Sequence, residues 1–400
     1  MKRKVIIIHT GIGIPRGRAY LFLESLCLKN IIPVFVSDSI VKELGKTLLM
    51  KIRECRFRRW LLPCLHHLLE VNFFFKMIID FIAIPFIITF ENPSFIILTI
   101  PGTTSLLPTW LACKMLSKKL VIDIRDEVEE SHSKKLRFIA PIIKKIFNLI
   151  YSSADALFVV SPLLLDKYKV LNSKVFLITN YVDTSSFKPI THEEKVSIRK
   201  SLNFSVDDFV LIYSGKLGYP YRIDTLLKAI KILKDRGLKN IKLLIIGKPE
   251  GTVDEKFDYK TISFLLNKLN ICDLVITLPF MPQEKLVKYA SIANIGIIPL
   301  DKDPLWKYVI PIKFMEYSAL GLPSIVSTYP DSVLAKIINK YKVGLICNLC
   351  PKDLANTIQY LFDQRNLLKS FSENARILAE KEFDKSKILQ DFSRIIDILL

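Results

Sequence analysis

The chain has 400 residues, half of them hydrophobic, and a formal net charge of +19. This length exceeds one ordinary core and suits two domains of about 150–200 residues each. No stretch offers about 20 consecutive uncharged apolar residues, so the sequence argues against a membrane-spanning helix. The charge favours anionic partners, and without zinc-finger spacing, an RNP-like motif or a recognition helix we expect phosphorylated substrates or lipid rather than nucleic acid.

Short apolar runs alternate with segments of helical periodicity, a pattern typical of parallel α/β architecture. In the first half, the predicted strands are 5–8, 33–36, 95–99, 120–124, 156–159 and 175–178, and the predicted helices include 19–29, 104–117 and 142–152. In the second half, the predicted strands are 209–214, 242–246, 274–278, 295–299, 324–327 and 344–346. The helices predicted there are 224–236, 261–269, 284–290, 313–320, 354–362 and 367–382.

A polar segment near 183–208 separates the two strand series and predicts the domain boundary. We therefore expect a first domain over 1–185 and a second over 186–382. No strand follows the last helix, 383–400, which we expect to pack back on the first domain. Seven cysteines lie scattered without a framework spacing, which indicates a reducing compartment and a cytoplasmic protein.

Residues 42–90 interrupt the α/β rhythm. Segment 42–59 holds seven basic and two acidic residues, a net charge of +5, and an aromatic and aliphatic run follows at 73–85. A basic segment beside apolar residues is typical of a helix in the bilayer interface, so we predict a protein peripheral on the cytoplasmic membrane face. The alternative is a solvated basic helix followed by a buried core helix.

In open parallel sheets, ligands bind beyond the carboxyl ends of the strands, so the strand-to-helix turns are the candidate sites. The first turn carries Gly11 and Gly13, which let the backbone approach a ligand ahead of a helix N-terminus suited to phosphate. A simple tight turn is the alternative. The second carries Arg125 and Asp126, suited to substrate hydrogen bonds and general-base work, or to an acidic helix N-terminus.

Three turns of the second half are candidate donor sites. Two of them carry glycine and lysine, which suit a phosphate group, and the third is apolar, which suits stacking against a base. Their candidate donor-binding residues are Gly215, Lys216, Gly247, Lys248, Pro279, Phe280 and Met281. Ordinary loops are the alternative for each turn.

The strongest segment is 311–323, where Lys313 and Glu316 lie one helical turn apart on the same face. A cation there can hold phosphate while the carboxylate accepts two ribose hydroxyls. From spacing alone, a surface ion pair on an ordinary helix is an equal alternative.

That segment reads P-x-K-x-x-E-Y-x-A-x-G-x-P and resembles the donor-site signature of family 4 glycosyltransferases, above all their lipopolysaccharide- and capsule-type members. The segments at 123–126, 180–189 and 213–217 resemble further motifs of that family in the same order. The resemblance implies the GT-B fold, two Rossmann-like doubly wound domains facing each other across a cleft. It also implies transfer of a hexosyl group with retention from a UDP- or GDP-sugar to a glycan acceptor, which the basic segment suggests is lipid-linked. It implies neither metal nor cofactor.

Carried over by position, the resemblance assigns the donor ribose to Glu316 and the leaving diphosphate to Lys216 with a nearby cation. Two positions depart from the family pattern: Tyr308 replaces the first Glu of E-x7-E, and Tyr221 replaces a phosphate-binding Lys. Arg222 lies next to Tyr221 and offers a bidentate grip in its place.

The expected catalytic residues are therefore Arg125, Asp126, Lys216, Arg222 and Glu316. Two further functions stay open, a catalytically degenerate nucleotide-sugar-binding protein and a sugar-nucleotide epimerase. The sequence says nothing about oligomeric state.

Overall fold

The computed structural model describes residues 3–9, 17–37, 58–61, 73–100, 103–125, 140–218, 221–249 and 257–400. The chain divides into two compact units, Met1–Asn180 with Ser386–Leu400, and Tyr181–Lys385. The division at 180–181 comes slightly before the expected boundary at 185.

The first unit is built around a parallel sheet. Its strands are β1 (Lys4–His9), β2 (Ile32–Ser37), β3 (Arg58–Leu61), β4 (Phe95–Ile100), β5 (Lys119–Ile124), β6 (Ala156–Val159) and β7 (Val175–Leu177). Their order is β3-β2-β1-β4-β5-β6-β7. The described helices are α1 (Arg18–Leu28), α2 (Phe73–Glu91), α3 (Thr103–Met115), α4 (Ala140–Ser153), α5 (Pro162–Lys169) and α14 (Lys385–Leu399).

The second unit repeats this plan. Its strands are β8 (Phe209–Leu217), β9 (Ile241–Pro249), β10 (Val275–Pro279), β11 (Ile295–Pro299), β12 (Ser324–Ser327) and β13 (Gly344–Cys347), in the order β10-β9-β8-β11-β12-β13. The helices are α6 (His192–Ser201), α7 (Ile223–Asp235), α8 (Tyr259–Leu269), α9 (Gln283–Ala290), α10 (Ile312–Ala319), α11 (Val333–Tyr341), α12 (Pro351–Asp363) and α13 (Arg365–Leu378). A 3₁₀ turn at Pro304–Lys307 and a π-helical turn at Ala379–Phe383 complete it.

Both sheets are parallel and have the Rossmann strand order, in which the first strand of each unit lies beside the fourth. Every strand predicted from the sequence is present, and the predicted α/β class with two Rossmann-like domains is confirmed. The apolar runs identified the strands because parallel strands are covered on both faces; all six residues of β4 are buried.

Helix α14 belongs to the first unit. Phe392 stacks on Phe22 of α1 with ring centroids 4.6 Å apart. At the exposed side, Lys29 Nζ pairs with Asp397 at 2.6 Å. The apolar face of α14 therefore closes the side of the sheet that α1 covers.

The prediction of a basic helix in 42–59 is wrong at its carboxyl end. Arg58–Leu61 forms the edge strand β3, paired in parallel with β2. The rest of that segment lies outside the described residues. Charge count and apolar content did not reveal the strand, because its pairing depends on the long-range register with β2.

Three of the described helices escaped prediction, although each carries a capping signal. Helix α6 opens with a capping box in which the Thr191 side chain accepts from the Glu194 N–H and the Glu194 carboxylate accepts from the Thr191 N–H. Helix α5 follows Ser161 as N-cap with Pro162 in its first turn. Helix α11 follows Ser332 as N-cap, and the Ser332 side chain accepts a backbone N–H of the first turn.

The cysteine prediction needs one correction. Cys27 is disulfide-bonded, whereas the scattered spacing predicted reduced thiols. Cys113, Cys272, Cys347 and Cys350 are free. Of the helices that the structure describes, none combines the length and apolar character that crossing a membrane requires.

Candidate functional site

The strongest predicted segments meet at the topological switch point of the second sheet, between β8 and β11. Strand β8 ends with Gly215 and Lys216, and β11 leads through the 3₁₀ turn into α10, which carries Lys313 and Glu316. Ligands of doubly wound sheets bind in the crevice beyond these strand ends. The fold of this unit therefore gathers its main candidate residues at the expected binding position.

Helix α10 is fixed to β8 by Tyr317. The Tyr317 hydroxyl accepts the backbone N–H of Ser214 at 2.7 Å and lies 3.0 Å from Ser214 Oγ. The ring passes directly over Gly296 of β11, where an added Cβ would stand 2.2 Å from Tyr317 Cδ2. A side chain at Gly296 would displace the ring, so this glycine permits the helix position that presents Lys313 and Glu316.

Lys313 does not form the surface ion pair that its spacing allowed. The residue is 7% exposed, and among the residues that the structure describes Nζ has no hydrogen-bond partner. The ammonium instead lies 4.0 Å from the ring centroid of Tyr213 and 3.6 Å from that of Tyr221. Cation–π attraction offsets part of the cost of burial. Burial nevertheless holds the pKa of Lys313 well below its ordinary value, although the nearby Glu316 carboxylate opposes this.

Glu316 lies half-buried one turn further along α10. Burial raises the pKa of its carboxyl group to about 7, while the neighbouring Lys313 charge acts to lower it. Two ionisable groups whose pKa values move towards neutrality from opposite sides are typical of a functional site.

Gly215 and Lys216 continue a ladder rather than forming a turn. Strands β8 and β9 pair through Gly215 with Gly247 and Lys216 with Lys248, and their ladder ends three residues beyond the predicted strand ends. Both lysines are exposed. Like charges facing each other across neighbouring strands are unfavourable unless an anion lies between them. The Tyr213 hydroxyl donates to the carbonyl of Lys216 and fixes this end of β8.

Arg222 is engaged by a neighbour. Its Nε and Nη2 donate to the two carboxylate oxygens of Asp224, each at 2.9 Å. The adjacent Tyr221 ring points instead to Lys313 and packs on Trp306, with centroids 5.7 Å apart. Tyr221, which replaces a lysine of the family pattern, thus contacts Lys313, a cation from a distant part of the chain.

The apolar candidates lie at the edge strand β10. Pro279 ends the strand, Phe280 is 58% exposed and Met281 is half-buried. A cavity of about 480 Å³ opens between β10 and α8, lined by Tyr259, Ile262, Ser263, Leu266, Thr277 and Pro279. Its apolar walls with three hydroxyl groups suit a planar ring that carries polar edges.

In the first unit, Gly11, Gly13 and Asp126 lie outside the described residues. Arg125 is half-buried at the end of β5, and its backbone N–H donates to the carbonyl of Ile100 at 3.3 Å.

The sequence did not predict the partner of Asp123, which precedes Arg125 by two positions. Asp123 pairs with Arg18 at the start of α1, and both side chains are fully buried. Arg18 also donates to the carbonyl of Ile178, so one guanidinium ties α1, β5 and the end of β7 together. Neither residue showed a short-range signal, because 105 positions separate them.

The second unit matches a known protein family. Residues 194–378 match the model of the family described as glycosyl transferases group 1. An uncharacterized glycosyltransferase of Methanocaldococcus jannaschii is 28% identical over 156 residues, which cover 39% of this chain and 36% of that protein. The matched part is thus about a third of the relative. The matches support the glycosyltransferase group 1 family.

Solved structures match over the whole chain. A sucrose-phosphate synthase from Thermosynechococcus elongatus has a TM-score of 0.77 at 17% identity, covering 100% of this chain and 99% of that one. HepE from Anabaena, in complex with UDP, has a TM-score of 0.75 at 14% identity, covering 99% and 100%. At these identities, the likeness shows the shared fold of two Rossmann-like domains.

Proposed function

We propose that this chain is a retaining glycosyltransferase that moves a hexosyl group from a UDP- or GDP-sugar to a glycan acceptor. The observation that carries the proposal is the meeting of Lys216, Lys313 and Glu316 at the switch point of a unit that matches glycosyl transferases group 1. The likeness in fold to HepE, which was solved with UDP, favours a nucleotide donor.

Each donor-site residue has a role that its surroundings suit. Glu316 accepts the two ribose hydroxyls, and the exposed Lys216 neutralises the leaving diphosphate together with a second cation. Lys248, across the ladder from Lys216, extends the positive edge, while Pro279, Phe280 and Met281 flank the base. Protein cations aimed at the departing charge stabilise it without a metal ion.

The reaction proceeds by attack on the face that the leaving group occupies. The leaving phosphate takes the acceptor proton, so the chain needs no nucleophile of its own. Arg125 and Asp126 belong to the acceptor side, where Asp126 orients the acceptor hydroxyl and Arg125 binds substrate oxygens. Gly11 and Gly13 allow a close approach of substrate to backbone in the first unit.

A lipid-linked acceptor and peripheral attachment at the cytoplasmic face of the membrane are part of this proposal. Helix α2 exposes an apolar stripe at four-residue spacing, formed by Ile78, Ile82, Phe86 and Phe90, each more than half exposed. Its opposite face, with Ile84 and Ile88, is buried. An apolar stripe on a chain of net charge +19 fits an anionic bilayer surface.

The test begins with a thermal-shift screen of UDP, GDP, ADP and their sugars, because a ligand that binds only the folded state raises Tm. We expect UDP or GDP to raise Tm, and the matching sugar nucleotide to be hydrolysed or transferred when membrane extract supplies acceptors. Failure of every nucleotide sugar to bind or react contradicts the proposal.

A second candidate, nucleotide-sugar binding without catalysis, is favoured by Tyr308. It occupies the position where the family carries the first Glu of its pair, and it ends the 3₁₀ turn ahead of α10. The variant Glu316→Ala separates the candidates. Loss of turnover in a folded protein supports the enzyme, whereas a wild-type protein that binds but never turns over supports the binding protein. The group 1 match does not favour an epimerase, and product analysis without acceptor would detect one.

A further inference from the structure

We propose that Lys313, rather than Arg222, is the second cation of the diphosphate site, and that Tyr221 is a positioning residue that holds its ammonium group beside Gly215. This inference rests on the proposed function, since it assigns the phosphate contacts of a nucleotide-sugar donor.

The ammonium group of Lys313 is buried and faces two aromatic rings at 4.0 and 3.6 Å. Within the described part of the chain it has no hydrogen-bond partner. An ammonium group has three donors, and rings satisfy none of them with an oxygen acceptor. A buried cation left in this condition costs stability, and a ligand that supplies anionic oxygens would relieve that cost.

Access to the Lys313 ammonium group depends on Gly215. Nζ lies 3.1 Å from the position that a Cβ would take on Gly215. Gly215 is half-buried, next to the exposed Lys216. The missing side chain therefore leaves a gap through which an anion above the end of β8 can approach the ammonium. Lys216 and Lys313 then meet the same group from two sides.

Tyr221 is held by a backbone hydrogen bond and by its ring contacts. Its backbone N–H donates to the carbonyl of Gly218 at 2.8 Å, and its ring packs between Tyr213 and Trp306, with centroids 6.0 and 5.7 Å away. The Trp306 indole N–H in turn donates to Asp301 at 2.7 Å. The ring is thus fixed from both sides, as holding a cation at one point requires.

The competing cation, Arg222, is already paired with a carboxylate. Arg222 directs its guanidinium to Asp224 through two hydrogen bonds. A phosphate would have to displace that bidentate carboxylate, whereas no described residue gives Lys313 an anionic hydrogen-bond partner that would have to leave. The cation that the family pattern places at position 221 is therefore supplied from α10, and the tyrosine at 221 becomes its holder.

The test measures how much the diphosphate contributes to binding. This contribution is the Kd of uridine divided by the Kd of UDP, and guanosine and GDP form the parallel pair. Calorimetric titration of the wild type gives the reference ratio. We expect Lys313→Met to reduce this ratio by about 10- to 100-fold, since it removes a charged hydrogen-bond donor, and to leave uridine affinity unchanged. Arg222→Gln should leave the ratio within about twofold.

Variants at position 221 test whether Tyr221 positions the Lys313 ammonium group. Tyr221→Phe keeps the ring and should retain the ratio, whereas Tyr221→Leu should lose part of it. In the background Lys313→Met, adding Tyr221→Lys returns a cation from the other side and should restore most of the ratio. A purely structural Lys313 would give no such rescue.

The outcomes separate the two proposals. If wild type binds UDP or GDP but Lys313→Met keeps its ratio while Arg222→Gln loses it, the assignment of the second cation is overturned and the proposed function stands. If wild type binds neither nucleotide, the proposed function itself fails. Circular dichroism of each variant confirms folding, and the rescue variant decides the case if Lys313→Met alone is poorly folded.

Discussion

Replacing Lys313 by Met should make the ligand-free protein more stable. The wild-type side chain buries an ammonium group to which no described residue offers a hydrogen-bond acceptor. The rings of Tyr213 and Tyr221 compensate this burial in part, and the nearby Glu316 carboxylate adds to that compensation. Methionine keeps the unbranched stem, fills the same space and places sulfur against aromatic rings, which is itself favourable. The substitution therefore removes a cost without opening a cavity.

The magnitude follows from opposing terms. Burying an ammonium group costs several kcal/mol, and each desolvated cation–π contact returns up to about 2 kcal/mol. We therefore expect Lys313→Met to raise the free energy of unfolding by about 1–3 kcal/mol. For a unit the size of Tyr181–Lys385, each kcal/mol corresponds to about 2–4 °C in Tm.

The lowered pKa of Lys313 makes the stability of the wild type depend on pH. Burial lowers the pKa of Lys313, so between its folded and unfolded pKa values the unfolded chain binds more protons. Wild-type stability therefore rises with pH in that window, which ends near the ordinary lysine pKa of about 10.4. The advantage of the methionine variant should shrink as pH is raised from 7 to about 10.

Urea unfolding of both proteins at several pH values, without nucleotide, measures this difference. Lys216→Met is the matched control, because Lys216 is exposed on the same strand end and its loss should change stability by less than about 0.5 kcal/mol. A loss of 1 kcal/mol or more in Lys313→Met, or an advantage that grows with pH, would refute the reasoning.

Three further outcomes follow. Nucleotide affinity should fall about tenfold per pH unit below pH 7, because the ribose hydroxyls bind to the Glu316 carboxylate and not to its protonated form. Burial raises the pKa of Glu316 to about 7, while the facing Lys313 opposes the rise. Titrations of Glu316→Gln should lose this slope. Arg18→Met or Asp123→Asn should each cost about 3–5 kcal/mol in urea unfolding, because each leaves one charge of a fully buried pair alone. Ile82→Ser with Phe86→Ser should reduce sedimentation with anionic liposomes, and high salt should weaken the wild-type binding.

Each of these has its own check. A pH slope that persists in Glu316→Gln assigns the titration to another group. The double variant Arg18→Met with Asp123→Leu should recover part of the lost stability, and additive losses would show that the pair does not interact. Ile398→Ser removes an equally exposed side chain from α14, and if it releases liposomes as well as the α2 variants do, the α2 stripe is not the contact.

The sequence by itself determined the two strand series and most helices, because each depends on local periodicity. Parallel strands buried on both faces read as apolar runs, and β4 and β11 are buried throughout. The order of strands along the chain also predicted that Gly215, Lys216, Lys313 and Glu316 would lie near strand ends at one edge of the second sheet. The motif at 311–323 singled out α10 before any contact was known.

The tertiary structure alone decided what those residues touch. Lys313 contacts Tyr213 and Tyr221, which lie 100 and 92 positions earlier in the chain. Local spacing could therefore present it only as half of a surface ion pair with Glu316. In the folded unit Lys313 is removed from water, contacts two aromatic rings and lies next to Gly215. Arg222, in contrast, pairs with its sequence neighbour Asp224. Burial and long-range contact are properties of the folded chain. They lower the pKa of Lys313 and raise that of Glu316, which the helical spacing of the two residues could not reveal.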